Sequence, residues 1–356
     1  MDFRFTEDQL TFRDAVRDFL EGECTPTAIR ALIDSPDGGA MKFRSALAEL
    51  GLAGLPIAED FGGLGMNELD AVLNAEECGR AAVPGALFDS FAVAAPLLAE
   101  ASPKLAAEWL PKVAAGEATL AFGHEINPFV LDAEIADLLL MPKDGVLYAV
   151  PKSAVMLTEA PSVDPSRRPS RIEWNGSGGT KIAEGARCAE LTGLALDRAA
   201  LYAAADMLGA TQRMLDMSVE YTKNREQFGR PIGSFQAVKH LLADVQVKLT
   251  FARPVVHYAA YALVHGLADA TVRVSHAKVA AADAATLGAR RTLQVHGAMG
   301  YTWEYDLQIW MKRVWAEAAC WGTSAWHRSR IAGAILAPNV DLGPGRTWDP
   351  GRTRTA

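Results

Sequence analysis

The run Arg225–Asp244, REQFGRPIGSFQAVKHLLAD, joins a guanidinium, an aromatic ring, a tight turn and an amphipathic helix in one short stretch. Those residue types suit an anionic, planar ligand. The fork of Arg225 offers paired donors to phosphate oxygens, a charge-assisted bond of about 1.5–3 kcal/mol. Phe228 offers a ring face, Gly229 and Pro231 turn the chain, and Gln236 sits early in the next helix with an amide that can reach a nucleotide. A second run, Gln294–Tyr301, QVHGAMGY, sets another amide ahead of a glycine-containing turn. The simpler alternative is that REQFG only stops one helix and starts the next. His240 and His296 lie inside these runs, but no serine or cysteine nucleophile motif accompanies either, and both are read as packing or interface residues. Cys24, Cys78, Cys188 and Cys320 are scattered singly with no CxxC spacing, which suggests neither zinc nor a disulfide framework and suits a reducing cytoplasm.

The elements that must position these runs are mostly helical. Thr6 reads as an N-cap, Glu7 and Asp8 suit the helix dipole, and Leu10, Phe12, Val16 and Phe19 or Leu20 recur at helical spacing. The spacing repeats over 43–50 and 69–79, with Gly62, Gly63 and Gly65 as a tight connection between two core helices. Between about Thr119 and Ala186 the pattern changes. Short apolar runs over 138–141 and 146–150 flank Lys143, Asp144 and Gly145, the mark of a β-hairpin, and the loops bearing Pro161, Pro165, Pro169, Arg167 and Arg168 read as exposed and mobile. From about Leu194 onward four amphipathic segments predict an antiparallel four-helix bundle, the second kinked at Pro254 and the last running from Trp310 to Ile335. Trp303, Trp310, Trp315 and Trp326 suit a buried helix face or a subunit interface. The expected division is therefore an N-terminal helical domain (1–118), a reduced middle β-domain (119–186), a C-terminal four-helix bundle (187–337) and a disordered tail (338–356).

Composition narrows the function. With 356 residues, a formal charge of −8 and a pI near 5.5, the chain lacks the basic stripe that a nucleic-acid partner requires. Its first residues have neither the basic patch nor the apolar run of a signal peptide, and no apolar stretch is long enough for membrane insertion.

The two runs resemble the signature segments of the acyl-CoA dehydrogenase family, and the resemblance covers nearly the whole chain. It implies a mainly α fold with opening helices, a small β-domain and a closing bundle, and an FAD-dependent oxidoreductase that desaturates an acyl-CoA thioester. It further implies that Arg225, Phe228, Gln236, Gln294, Gly297 and Ala298, the last replacing a usual glycine, contact the FAD of a neighbouring subunit. Thr323 matches a threonine that touches a chain's own cofactor. Three departures stand out. FGHEINP (122–128) replaces the family's Thr-Glu-Pro turn, the Trp-Ile-Thr strand is missing, and Trp321 stands where the family carries its catalytic glutamate before Gly-Thr. Indole has no basic lone pair, so no catalytic residue is assigned. Some members carry the glutamate on the first bundle helix, where this chain has Ala199. Asp197 and Glu317 are the remaining candidates for a base, the first more readily read as a surface or N-cap carboxylate and the second as a solvated or interface charge. The resemblance thus points to a non-catalytic, β-type subunit of a heteromeric, actinobacterial-type enzyme. A homologous partner in an α2β2 heterotetramer would bear the base and most of the acyl-CoA site, with steroid side-chain or fatty acyl-CoA as substrate. The alternatives are a self-sufficient homomer with a displaced base and a structural or regulatory paralogue without flavin.

Overall fold

The computed structural model describes residues 4–35, 40–338 and 340. Apart from Pro338 and Val340, the expected tail lies outside the described residues. The chain divides into two compact units, one of Met1–Asn74 with Val83–Ala199 and one of Ala75–Ala82 with Ala200–Ala356.

The first unit opens with helices α1 (Glu7–Glu23), α2 (Pro26–Ile33) and α3 (Ala40–Glu49), and takes in the start of α4 (Glu68–Ala81). Helix α1 begins where the sequence places it. The Thr6 hydroxyl accepts from the Gln9 amide at 3.2 Å and the Gln9 side chain returns the bond at 2.9 Å, a reciprocal cap that satisfies two orphan donors. Val16, Leu20, Ile29, Phe43 and Leu47 are buried from these helices. A π-helical turn, Asp89–Ala94, leads into α5 (Ala95–Ala101), followed by α6 (Pro103–Ala114).

The β region of this unit holds strands β1 (Leu120–Phe122), β2 (Val130–Leu131), β3 (Leu138–Lys143), β4 (Val146–Pro151), β5 (Met156–Glu159), β6 (Pro169–Glu173) and β7 (Thr180–Glu184). They form a four-stranded sheet in the order β1-β3-β4-β7 and a three-stranded sheet in the order β2-β6-β5. β1 runs parallel to β3 and the other pairings are antiparallel. The β3–β4 hairpin turns on Asp144 and Gly145, both at positive φ, as a two-residue turn matched to strand twist requires. Ala121, Val130, Ala136, Leu139 and Val150 form its core, with Tyr148, Leu157, Ile172 and Trp174 packed against them.

The loop expected to be exposed is so only in part: Pro161 is exposed, Pro165, Arg168 and Pro169 are half-buried, and Arg167 is buried. Asp164 accepts from the backbone and hydroxyl of Ser166, and Arg167 sits beside Asp89 at 4.0 Å. Asp164, Ser166 and Arg167 are all buried, Arg168 donates to the Ser35 carbonyl, and Pro169 starts β6. A run rich in proline and arginine reads as solvated until distant partners, here Asp89 and Ser35, are in place.

Helix α7 (Gly185–Asn224) runs for 40 residues, starting nine positions before the expected Leu194, and contributes to both units. In the first unit Arg198 donates to Glu68 at 2.8 Å and to Glu100 at 2.9 Å. Burial alone would favour the neutral guanidine, yet the two carboxylates raise its pKa further above the ordinary value.

The second unit continues with a small hairpin, β8 (Glu226–Gln227) and β9 (Arg230–Pro231), then α8 (Gln236–Val264), α9 (Ala270–His296), α10 (Leu307–Ala319) and α11 (Ser324–Ile335). α8 continues through Pro254. α9 packs against α8, α10 and α11, and buries Ala277, Ala281, Ala284, Ala285 and Ala289. The segment expected as one last helix is two, broken at 320–323, where Trp321 and Gly322 take positive φ values of 54° and 95°. A residue in that conformation cannot continue a right-handed helix. Glu76 of α4 lies in this unit and accepts from Arg253 at 2.8 Å, with His257 at 3.6 Å. Burial pushes its pKa up, but the bond from His257 and the charge and bond of Arg253 together hold it below the ordinary 4.5.

Candidate functional site

The cofactor-type residues sit at the ends of the second unit's helices. Phe228 and Gly229 are the two apex residues of the β8–β9 hairpin, at φ 56° and 76°. Two residues of positive φ suit such a hairpin, but a ring in this conformation is uncommon. Phe228 is 92% exposed. Phe235 stands perpendicular to it with centroids 6.1 Å apart, and the Arg230 guanidinium lies 4.2 Å over the Phe235 ring. Arg225 is exposed at the base of the hairpin, its amide bonded to the Tyr221 carbonyl at 2.9 Å and its carbonyl accepting from Ile232 at 2.8 Å. Gln236 is exposed as the first residue of α8, where helix amides point outward.

Gln294, Gly297 and Ala298 are exposed at the close of α9, with Gly297 at φ 60°, ψ −138°, a conformation open essentially to glycine alone. Tyr221 of α7 stacks on His296 of α9 with centroids 4.3 Å apart, so the hairpin and the Gly297 turn leave the same end of these helices. The set comprises a guanidinium, an exposed ring, side-chain amides and a turn with open space around Gly297, groups whose chemistry suits phosphates and a flat ring. His240 lies exposed on α8 and His296 is buried.

The position of the family base is occupied differently. Trp321 is 2% exposed in the turn between α10 and α11. Its carbonyl accepts from His327 Nε2 at 2.9 Å, so Nε2 carries the proton, and Nδ1 accepts from the Ser275 hydroxyl at 3.1 Å. Lys278 is fully buried and donates to the carbonyls of Glu317 at 2.9 Å and Gly322 at 3.4 Å. Two buried basic side chains thus hold three carbonyls of one turn. Burial lowers the pKa of His327 to about 4, with the Trp321 carbonyl raising it and the charges of Lys278 and Arg330 lowering it again. Thr323 caps α11, its hydroxyl accepting from the Trp326 amide at 3.3 Å.

The structure corrects the reading of the two candidate carboxylates. Asp197 is 4% exposed within α7, and Glu317 is 3% exposed on α10; neither is a surface or cap charge. Both lie on the inward stripe of a helix that the local sequence underdetermines. Of the tryptophans, Trp310 is buried and donates to the Arg80 carbonyl at 2.8 Å, whereas Trp303 and Trp315 are exposed. Sequence reasoning missed Lys278, Ser275 and His327. A cation in the alanine-rich stretch SHAKVAAADAA was the available signal for the first. Among the described residues, no group of three or more His, Cys, Asp or Glu is arranged to hold a metal ion, and no helix is long and apolar enough to cross a membrane.

Comparison with known proteins places this architecture. The acyl-CoA dehydrogenase N-terminal domain matches residues 6–117 and the C-terminal domain matches residues 184–336. Acyl-CoA dehydrogenase IpdE2 of Mycobacterium tuberculosis is 34% identical over 88% of this chain and 92% of its own. The chain belongs to the acyl-CoA dehydrogenase family. A second relative, acyl-CoA dehydrogenase IpdE2 of Mycolicibacterium smegmatis, is 33% identical over 93% of this chain and all of its own. The crystal structure of the ChsE4-ChsE5 complex from Mycobacterium tuberculosis includes a chain 25% identical with a TM-score of 0.84, covering 96% of this chain and 100% of that one. Butyryl-CoA dehydrogenase from Megasphaera elsdenii shares the fold, with a TM-score of 0.82 at 22% identity, over 95% of this chain and all of its own. The family is one of FAD-binding flavoproteins, and membership in it supports oxidoreductase activity.

Proposed function

We propose that this chain is the non-catalytic subunit of a heteromeric FAD-dependent acyl-CoA dehydrogenase, acting on a fatty or steroid side-chain acyl-CoA thioester in the cytoplasm. The observation that carries the reading is Trp321. A buried indole, held at φ 54° with its backbone clamped by Lys278 and His327, occupies the place of the family's base. Desaturation removes a proton α to the thioester, and a general base is typically worth about 10²–10⁴ in rate. FAD, when bound, supplies the acceptor for the β-hydride. A homologous partner provides the carboxylate, and an α2β2 assembly is the simplest arrangement in which the partner's flavin is shared. The complex of two different chains named for the ChsE4-ChsE5 structure supports this choice.

In this reading Arg225 grips the pyrophosphate, Phe228 packs beside the adenine or flavin end, and Gln236, Gln294, Gly297 and Ala298 complete the contact to the partner's FAD. The strained, exposed apex at Phe228 supports it, because such conformations persist where function requires them. Thr323 already serves its own helix as a cap, which weakens its assignment as a contact to a flavin of this chain.

A second reading, a homomer that uses Glu317 or Asp197 as a displaced base, is favoured only by the burial of those carboxylates. Co-expression with a homologous chain from the same genome separates the two. The heteromer reading expects a yellow complex active only when both chains are present, and loss of flavin from that complex on Arg225→Ala. A preparation of this chain alone that is yellow and desaturates a thioester would overturn it.

A further inference from the structure

Apart from Gln236 and Gln294 on the flanking helices, the proposed nucleotide contacts come from two separate segments, the hairpin 225–231 and the turn 297–301, and three side chains join their roots. His296 closes α9, Tyr221 lies in the last turn of α7, and Tyr305 precedes α10. Tyr221 and His296 stack at 4.3 Å with ring planes 28° apart, and Tyr305 leans on His296 at 4.7 Å and on Tyr221 at 5.9 Å. The protons can be assigned from the acceptors. His296 Nδ1 lies 2.8 Å from the Thr292 carbonyl, which can only accept, so Nδ1 carries the hydrogen. Nε2 then accepts from the Tyr305 hydroxyl at 3.0 Å. Burial lowers the pKa of His296 and raises that of Tyr305, which keeps imidazole and phenol in these neutral forms.

Both contact segments begin at this cluster. Arg225 donates its amide to the carbonyl of Tyr221, and Gly297 follows His296 directly. We infer that His296 and Tyr305 are positioning residues: they fix the hairpin relative to the Gly297 turn, so that one preformed site meets the pyrophosphate and adenosine of the FAD. The inference rests on the function proposed above. Rigid placement of donors reduces the ordering cost of binding, and loosening it speeds release.

The test uses the co-purified heteromer with the variants Tyr305→Phe, His296→Phe and the double variant. Both keep a ring in the cluster, and Tyr305→Phe removes only one hydroxyl. FAD release is followed by the fluorescence of freed flavin after dilution. Loss of one buried hydrogen bond corresponds to roughly a 2–10-fold faster release. Tyr305→Phe is expected in that range and His296→Phe, which also loses the bond to the Thr292 carbonyl, at or above it, with the double no faster than His296→Phe, because the Tyr305–His296 bond is already gone in that variant. Amide exchange in the complex stripped of flavin gives a readout independent of the cofactor, and both 225–231 and 297–301 are expected to exchange faster in Tyr305→Phe. Unchanged release from both single variants, where Arg225→Ala does strip flavin, overturns the positioning role and leaves the proposed function standing. Retention of flavin by Arg225→Ala overturns the nucleotide role itself. In that event, faster exchange confined to 297–301, or none, also refutes the coupling of the two segments.

Discussion

His327 makes the acid response of this protein calculable. Its ring is fully buried, donates from Nε2 to the Trp321 carbonyl and accepts at Nδ1 from Ser275, with Lys278 and Arg330 nearby. The folded pKa is about 4 against an ordinary 6.5. Because the folded value is depressed, the unfolded chain binds the extra proton first as pH falls. The contribution to stability is therefore complete above pH 6.5, declines between 6.5 and 4, and changes no further below. At 1.36 kcal/mol per unit the decline is about 3 kcal/mol. His327→Gln keeps an amide donor for the Trp321 carbonyl and has no proton to gain. Above pH 7 the variant is expected to be less stable by about 1 kcal/mol, the worth of one imperfectly replaced hydrogen bond. Near pH 4 the order reverses, and the variant is more stable by about 2 kcal/mol. Urea unfolding of both proteins at half-unit steps from pH 4 to 7.5 measures the difference, in which all other titrating groups cancel. A difference that stays flat across this range would refute the buried, neutral imidazole.

Two further substitutions probe backbone geometry. A Cβ built on Gly209 would lie 1.7 Å from the Glu76 carbonyl oxygen, so α4 and α7 meet main chain to main chain; Gly209→Ala should destabilise by about 1–3 kcal/mol or more, read as a fall in thermal midpoint. At Trp321, both truncations lose a buried indole at about 3–5 kcal/mol, but only glycine relieves the left-handed conformation. Trp321→Gly is expected to be more stable than Trp321→Ala by about 1 kcal/mol, and the opposite order in denaturant melts would contradict the assigned turn.

The parts of the molecule legible in sequence are those whose cause is local. The Thr6 cap and Gln9 are three residues apart, and Asp144-Gly145 turns a hairpin by itself. The Arg225 and Gln294 runs are contiguous for the same reason. What stayed hidden depends on partners far along the chain. Arg198 reaches Glu68 across 130 positions, and the loop at 164–169 is held by Gly85, Asp89, Asp132 and Ser35. Alanine blurred the rest. In α9 small residues are buried around much of the circumference, so apolar period says little about which face Lys278 joins. The break at Trp321 was unreadable because a bulky aromatic is among the least expected residues at positive φ, and the carbonyl clamp of Lys278 and His327 that holds the turn comes from distant residues.

The bare aromatic surface of the second unit has a consequence for the survival of the chain. Phe228, Phe251, Tyr301 and Trp303 stand 92%, 73%, 79% and 64% open to water. Large apolar groups left uncovered favour self-association and capture by quality-control machinery. A copy of this polypeptide with those rings uncovered is more readily lost to aggregation or degradation than one in which they are shielded.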